Sequence, residues 1–227
     1  MTSVKDFWRG PARTMRSALR WQRAALRHMR EPVPIFPLND PRAPSGIKVH
    51  LGAGEINLQG WVNVDARPLQ HIHSRTSSLA LEPFKDGAIG AVYICHVLEH
   101  LSFVDADTLL AALHGKLMDG GVILISVPDF DALLRRYRAT GENLDSIKHA
   151  LMGGQGYEYN FHKSVYTPPA LSKILMTAGY RDVQAWVTVT EFGSDIGDWS
   201  SAEVELEHGA RIPLSLNLKA RKLEGHR

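Results

Sequence analysis

The sequence predicts an α/β fold: a doubly wound, mostly parallel sheet preceded by an N-terminal helical arm. Three observations lead there. From about residue 47 onward, short β-rich runs alternate with amphipathic helical stretches, the pattern required by parallel strands joined through helical crossovers. Two of these runs, Ile89 to Cys95 and Val122 to Val127, are continuously apolar or small, as strands covered on both faces must be. A chain of 227 residues, 44% hydrophobic and 22% charged, can build one core without a disulfide or a structural metal. The lone cysteine, Cys95, can form neither an internal bridge nor a multi-cysteine zinc site, and it fits a reducing, cytoplasmic setting. The longest apolar runs, such as Ile123 to Val127, fall well short of the roughly 20 residues a membrane span needs.

Taken in order, the first element belongs to a basic arm. Residues 1–30 carry a net charge of +7 and residues 31–227 carry −5, so the overall +2 hides a cationic arm on a mildly acidic body. Gly10-Pro11 opens a helical stretch and Glu31-Pro32 closes it. Arginines at 9, 13, 16, 20, 23, 27 and 30 form one stripe at helical spacing; Trp8, Ala12, Met15, Leu19, Gln22, Leu26 and Met29 form a largely apolar one beside it. Four readings stay open: a helix lying on an anionic membrane surface, a ligand for a polyanion, a mitochondrial presequence, and a helix packed on the body with its arginines in water. The functional expectation carried forward is a peripheral contact with a membrane or a membrane-bound assembly. Residues 31–46 hold five prolines and read as an extended linker, which places the main domain at 47–227.

Within that domain, Ile47 to Leu51 is a strand running into Gly52-Ala53-Gly54, and Trp61 to Asp65 is a second strand ending in an acid. Helices are expected over Asp105 to Met118, stopped by Asp119-Gly120-Gly121, then over Phe130 to Arg138, Leu144 to Met152 and Thr167 to Ala178, the last stopped by Gly179. Val183 to Thr190 and Ile212 to Ala220 are expected as two late strands at one edge, joined by an acidic loop.

In an open α/β sheet, ligands bind beyond the carboxyl ends of the strands, so Gly52, Gly54, Asp65 and His96 should converge on one crevice. The two glycines permit a tight turn and a close backbone approach, and the Asp65 carboxylate can accept both hydroxyls of a ribose. The dinucleotide fingerprint fails, because Asn57 stands at the third glycine position. Too few residues separate Gly54 from Asp65 for the long helix that presents its N-terminus to a pyrophosphate. A nucleoside cofactor without phosphates fits better, and S-adenosylmethionine (SAM) is one.

At these residues the chain resembles the class I SAM-dependent methyltransferases, and more closely a small bacterial type, like the methyltransferase type 11 group. The resemblance is carried by Leu51-Gly-Ala-Gly-Glu-Ile-Asn-Leu-Gln-Gly-Trp-Val-Asn-Val-Asp65, by Phe84 to Leu101 with its His96-Val-Leu-Glu-His100, and by Leu117-Met-Asp-Gly-Gly-Val-Ile-Leu-Ile-Ser-Val-Pro-Asp129. It continues in Gly153-Gly-Gln155, Asn160-Phe-His-Lys163 and Leu171 to Tyr180. The resemblance implies a seven-stranded Rossmann-like sheet, SAM as cofactor, Gly52 and Gly54 against the methionine moiety, Asp65 on the ribose, and His96 on the cofactor side of the cleft. Two departures stand out: Ala53 occupies a position where cysteine is frequent, and Thr76-Ser77-Ser78 replaces a stretch where an aspartate often meets adenine.

His96-Val-Leu-Glu-His100 also fits a zinc-protease pattern, H-x-x-E-H, but that motif belongs inside a helix, whereas here it directly follows a strand. The zinc reading is not adopted, no metal is expected, and Cys95 is assigned to the core. For Glu99 and His100, capping and charging of the next helix stands as the alternative to a role in the site. Gly153-Gly-Gln155 is expected as a flexible connection. If the acceptor is a hydroxyl, a base is useful: His162 is the candidate, against a purely structural role, and Asp129 is a second one that reads better as a helix cap. The expected activity is methyl transfer to a small polar acceptor, with sugar or glycan hydroxyls as the suggested class. A rival reading is a non-catalytic SAM-binding partner module acting through the arm. Nucleic acid is disfavoured by the acidic body, because phosphate contacts need cations around the groove.

Overall fold

The computed structural model describes residues 46–206 and 209–225. The arm at 1–30 and the linker up to residue 45 lie outside the described residues. Nine strands are described: β1 (Ile47–Leu51), β2 (Val62–Asp65), β3 (Ser74–Arg75), β4 (Ile89–Cys95), β5 (Leu117–Pro128), β6 (Arg181–Ala185), β7 (Glu203–Glu205), β8 (Arg211–Pro213) and β9 (Ser215–Arg221). Between them lie helices α1 (Phe103–Lys116), α2 (Phe130–Ala139), α3 (Lys148–Met152), α4 (Pro168–Thr177) and α5 (Thr188–Phe192).

Seven strands form one sheet in the order β3-β2-β1-β4-β5-β9-β6, and β7 pairs with β8 separately. The first five are parallel to one another, while β9 runs antiparallel to both β5 and β6. The chain reverses direction in the sheet order at β1 and β4, the switch point where crevices open in folds of this class. The continuous apolar runs behave as their composition requires. Val92 and Ile94 of β4 join Ile123 and Ile125 of β5 on the face covered by Leu110 and Leu113 of α1 and Leu171 and Leu175 of α4. Tyr93 and Leu124, one residue out of phase, face the opposite side with Leu58 and Trp186.

Several expected boundaries move, each for a local reason. Helix α1 begins at Phe103 because Ser102 caps it, its Oγ accepting from the Asp105 N–H at 3.1 Å. It ends at Lys116, and Met118 belongs to β5. The stretch from 144 to 152 splits into a single 3-10 turn, Leu144–Ser146, and α3. The late strand placed at 183–190 is β6, ending at Ala185; Trp186 buries its ring and donates its indole N–H to the Ile125 carbonyl at 3.2 Å, and Thr188–Phe192 continues as α5. The strand placed at 212–220 divides at Leu214, which turns into a cluster with Leu133, Ile147 and Val204. Strand β3 was not anticipated; two residues offer no periodicity to detect.

No helix among the described residues is long and apolar enough to cross a membrane.

Candidate active site

The turn after β1 is made by Gly52 and Gly54, with φ values of +70° and +55° that side chains disfavour. Gly52 donates its N–H to the Val64 carbonyl at 2.8 Å, tying the turn to β2. Gly54 donates its N–H to Asp65 Oδ2 at 2.8 Å, so glycine turn and acid form one unit at the ends of adjacent strands. The second carboxylate oxygen is held from the other side. Arg67 donates to Asp65 Oδ1 through both its backbone N–H at 2.8 Å and its Nε at 3.1 Å. The guanidinium lies over the ring of Tyr157, 5.9 Å from its centroid.

Gly52 and Asp65 open onto a cavity of about 300 Å³, which His96 and His100 also line. Thr76, Ser77 and Ser78 form part of the wall, and Tyr157, Glu158, Tyr159 and Lys163 approach from the segment after α3. The size is at the lower end of small-molecule sites. A Cβ at Gly52 would stand 2.1 Å from Val97 Cγ2, so the backbone there comes as close to its neighbours as a residue without a side chain allows.

Three of the four expected cofactor contacts, Gly52, Asp65 and His96, therefore line one cavity, and Gly54 supports them from behind. His96 sits at the end of β4 with φ of +53°, an uncommon conformation for a residue with a Cβ. Its Nε2 meets Ser215 Oγ at 2.8 Å and its Nδ1 lies 3.1 Å from Glu99 Oε1.

His162 is not among the residues lining the cavity. Its Nδ1 bonds to the Ala150 carbonyl at 3.0 Å, its ring packs edge-on to His100 at 4.7 Å, and burial pushes its pKa down to about 4. Asp129 is a helix cap, accepting from the Asp131 N–H at 3.0 Å. Glu99 does not cap the next helix, the role considered from sequence; it is 1% exposed within the 3-10 turn Leu98–His100, and Ser102 does the capping. Burial works to raise the Glu99 carboxyl, but the surrounding histidines, His96 first, bring its pKa below the ordinary value.

Gly153-Gly-Gln155 is closely packed rather than slack. A Cβ on Gly153 would come 2.4 Å from the Asn160 carbonyl oxygen, and one on Gly154 would come 2.6 Å from Asn160 Nδ2. The same segment is stitched to the 3-10 turn, since the Lys163 N–H donates to the Glu99 carbonyl at 2.7 Å. Arg67 and Tyr157 were missed in the sequence. Their place in the site depends on tertiary proximity, and no spacing rule would have found it.

No family model and no curated protein match the sequence. Solved structures do match in fold. A SAM-dependent methyltransferase from Methanosarcina mazei superposes with a TM-score of 0.52 at 12% identity, over 84% of this chain and 99% of that one. A SAM-dependent methyltransferase from Thermotoga maritima gives 0.50 at 14% identity, over 92% and 97%. For the CurJ carbon methyltransferase, the score is 0.49 at 12% identity, and this chain covers 50% of that one. The seven-stranded, mostly parallel sheet is thus the fold of the SAM-dependent methyltransferases.

Proposed function

We propose that the protein transfers a methyl group from SAM to a small polar acceptor, with a sugar or glycan hydroxyl as the acceptor class. The observation that carries this reading is the joining of the Gly52–Gly54 turn to Asp65 at the switch point of a methyltransferase-type sheet, where both face one cavity with His96. The residues present suit the cofactor. Gly52 offers close backbone approach. Asp65 has three donors on two oxygens that can accept about four, and exchange of the Arg67 Nε contact frees a further position for ribose hydroxyls. Thr76, Ser77 and Ser78 offer hydroxyls on the same wall for a purine edge.

When bound, SAM supplies a methyl group already activated by a sulfonium, so the protein's main task is to align the acceptor. The wall groups left for the acceptor are His100, Tyr159 and Lys163. A direct base role for His162 does not enter this reading, since its ring stands behind His100. The small cavity and the −5 charge of residues 31–227 support a small acceptor over a nucleic acid. The arm at 1–30 is assigned a docking role on an anionic membrane surface, with its arginine stripe as the support.

The deciding experiment is calorimetry of the full chain with SAM and S-adenosylhomocysteine. Binding of one equivalent is expected, and absence of binding to the native protein overturns the reading.

A further inference from the structure

Beside the cavity, one nitrogen from each of His100 and His162 and a carboxylate oxygen of Glu99 lie within 4.8 Å of one another. Glu99 is 1% exposed, and neither of its carboxylate oxygens receives a hydrogen bond. A buried carboxylate without donors is costly, and such groups are ordinarily paired or bound to a metal.

The hydrogen-bond partners of the surrounding rings sharpen the point. The Ala150 carbonyl can only accept, so His162 Nδ1 carries the proton of that bond, and the neutral ring turns its Nε2 lone pair toward Glu99 Oε1 at 4.0 Å. His96 is similar. Ser215 donates its hydroxyl to the Trp199 carbonyl at 2.7 Å, so it accepts from His96 Nε2, and His96 Nδ1 faces the same Glu99 oxygen at 3.1 Å, out of line for a hydrogen bond. Two ring nitrogens thus face one oxygen of a buried carboxylate without making a hydrogen bond to it. One nitrogen each of His100 and His162 lies within 4.8 Å of the same carboxylate, and His100 also meets the Phe161 carbonyl through Nδ1 at 3.3 Å.

We propose that Glu99, His100 and His162 form a binding site for one divalent transition-metal ion, zinc by preference, with His96 orienting the carboxylate from outside the ligand set. Two imidazoles and a carboxylate are a recurrent zinc donor set that leaves a fourth position open. Tetrahedral bonds of about 2.1 Å put ligand atoms about 3.4 Å apart, so atoms lying within 4.8 Å of one another need to close by at most about 1.4 Å, within reach of side-chain rotation. The ligand set does not pair the two histidines of H-x-x-E-H, since His96 stays outside it. The ligands are the adjacent pair Glu99-His100 on the 3-10 turn and His162 from the segment stitched to it. His100 also lines the cavity, so the open position is reached from that side and suits water or an anionic or hydroxyl oxygen.

The test is titration of the dialysed full chain with Zn²⁺ and with Co²⁺. One equivalent of Zn²⁺ should bind with micromolar or tighter affinity by calorimetry, and Co²⁺ should develop the strong visible bands of a tetrahedral nitrogen and oxygen site. Glu99→Gln and His162→Gln should each weaken Zn²⁺ binding by at least a hundredfold. X-ray absorption at the zinc edge of the unmodified protein should count two imidazoles, which keeps the test decisive if the variants fail to fold. Lack of stoichiometric binding, binding unchanged in both variants, or a different imidazole count overturns the site. S-adenosylhomocysteine binding by the chelator-treated protein reports separately on the methyltransferase reading, which stands or falls without the metal.

Discussion

The acid at the end of β2 is held by the residue two positions beyond it: Arg67 donates its backbone N–H and its Nε to the same Asp65 oxygen, at 2.8 and 3.1 Å. A cofactor hydroxyl reaching that oxygen must share it with the guanidinium or displace it. Asp65 also fixes the glycine turn through Gly54, so it serves both the shape of the site and its chemistry.

Under the proposed function, Asp65→Ala removes the group assigned to the ribose and releases the turn together. Loss of hydrogen bonds to a charged group costs about 1.5 to 3 kcal/mol, so S-adenosylhomocysteine binding should weaken about ten- to a hundredfold. Arg67→Ala should act in the opposite sense or leave affinity within about threefold, since it frees the Asp65 oxygen that a ribose hydroxyl would need. Calorimetry on both variants checks this; a loss in Arg67→Ala as large as in Asp65→Ala would make Arg67 a cofactor contact.

Much of the sheet was legible because β1, β2, β4 and β5 are buried on both faces and their composition says so. The edge was harder to read. Val187 to Thr190 is a β-branched run that reads as a strand, yet the indole of Trp186 turns the chain off the sheet before it begins. The convergence of Gly52, Asp65 and His96 on one cavity was legible because strand ends in such folds point to one crevice. The grouping of Glu99 with His162 was not, because it arises only when the segment after α3 folds back on the 3-10 turn.

His50 gives the fold an acid-sensitive element. It is 1% exposed, stacks on Tyr93, and bonds through Nδ1 to Asn63 Oδ1 at 3.1 Å. Burial pushes its pKa down to about 4, against about 6.5 in an unfolded chain. Between these values the unfolded state binds the extra proton, so this contribution to stability is intact above about pH 6.5 and is lost as the pH falls toward 4. At pH 5 the loss amounts to about 2 kcal/mol. Urea midpoints at pH 7.5 and pH 5 should show the unmodified protein losing more stability on acidification than His50→Gln; equal losses would place the acid sensitivity elsewhere.

For the arm, a chain beginning at Ser45 should stay folded and bind S-adenosylhomocysteine normally, but should no longer sediment with anionic vesicles. Each arginine near such a surface contributes about 1 kcal/mol, and salt screens the effect. The full chain should therefore be retained at low salt and released as salt is raised. Unfolding of the shorter chain would instead make residues 1–30 part of the core.

Gly52 allows the packing and binding roles of one residue to be separated. Alanine there meets two costs: a φ of +70°, worth about 1 to 2 kcal/mol for a residue with a Cβ, and a methyl carbon placed 2.1 Å from Val97 Cγ2. Gly54→Ala has a φ of +55° but meets only the flexible end of Arg67, at 3.0 Å, so it should be the milder change. Val97→Ala in the Gly52→Ala background removes the clash and leaves the backbone cost. The double variant should recover stability relative to the sum of the single changes, with a coupling of about 1 to 2 kcal/mol in urea denaturation. Cofactor binding should not recover with it: residue 52 lines the cavity, and if the cofactor packs on its backbone an added methyl group takes up that space, so S-adenosylhomocysteine affinity should stay at least tenfold below that of the unmodified protein. Full recovery of binding in the double variant would show that Gly52 is required only to make room for Val97, and the close approach of cofactor to backbone would lose its support.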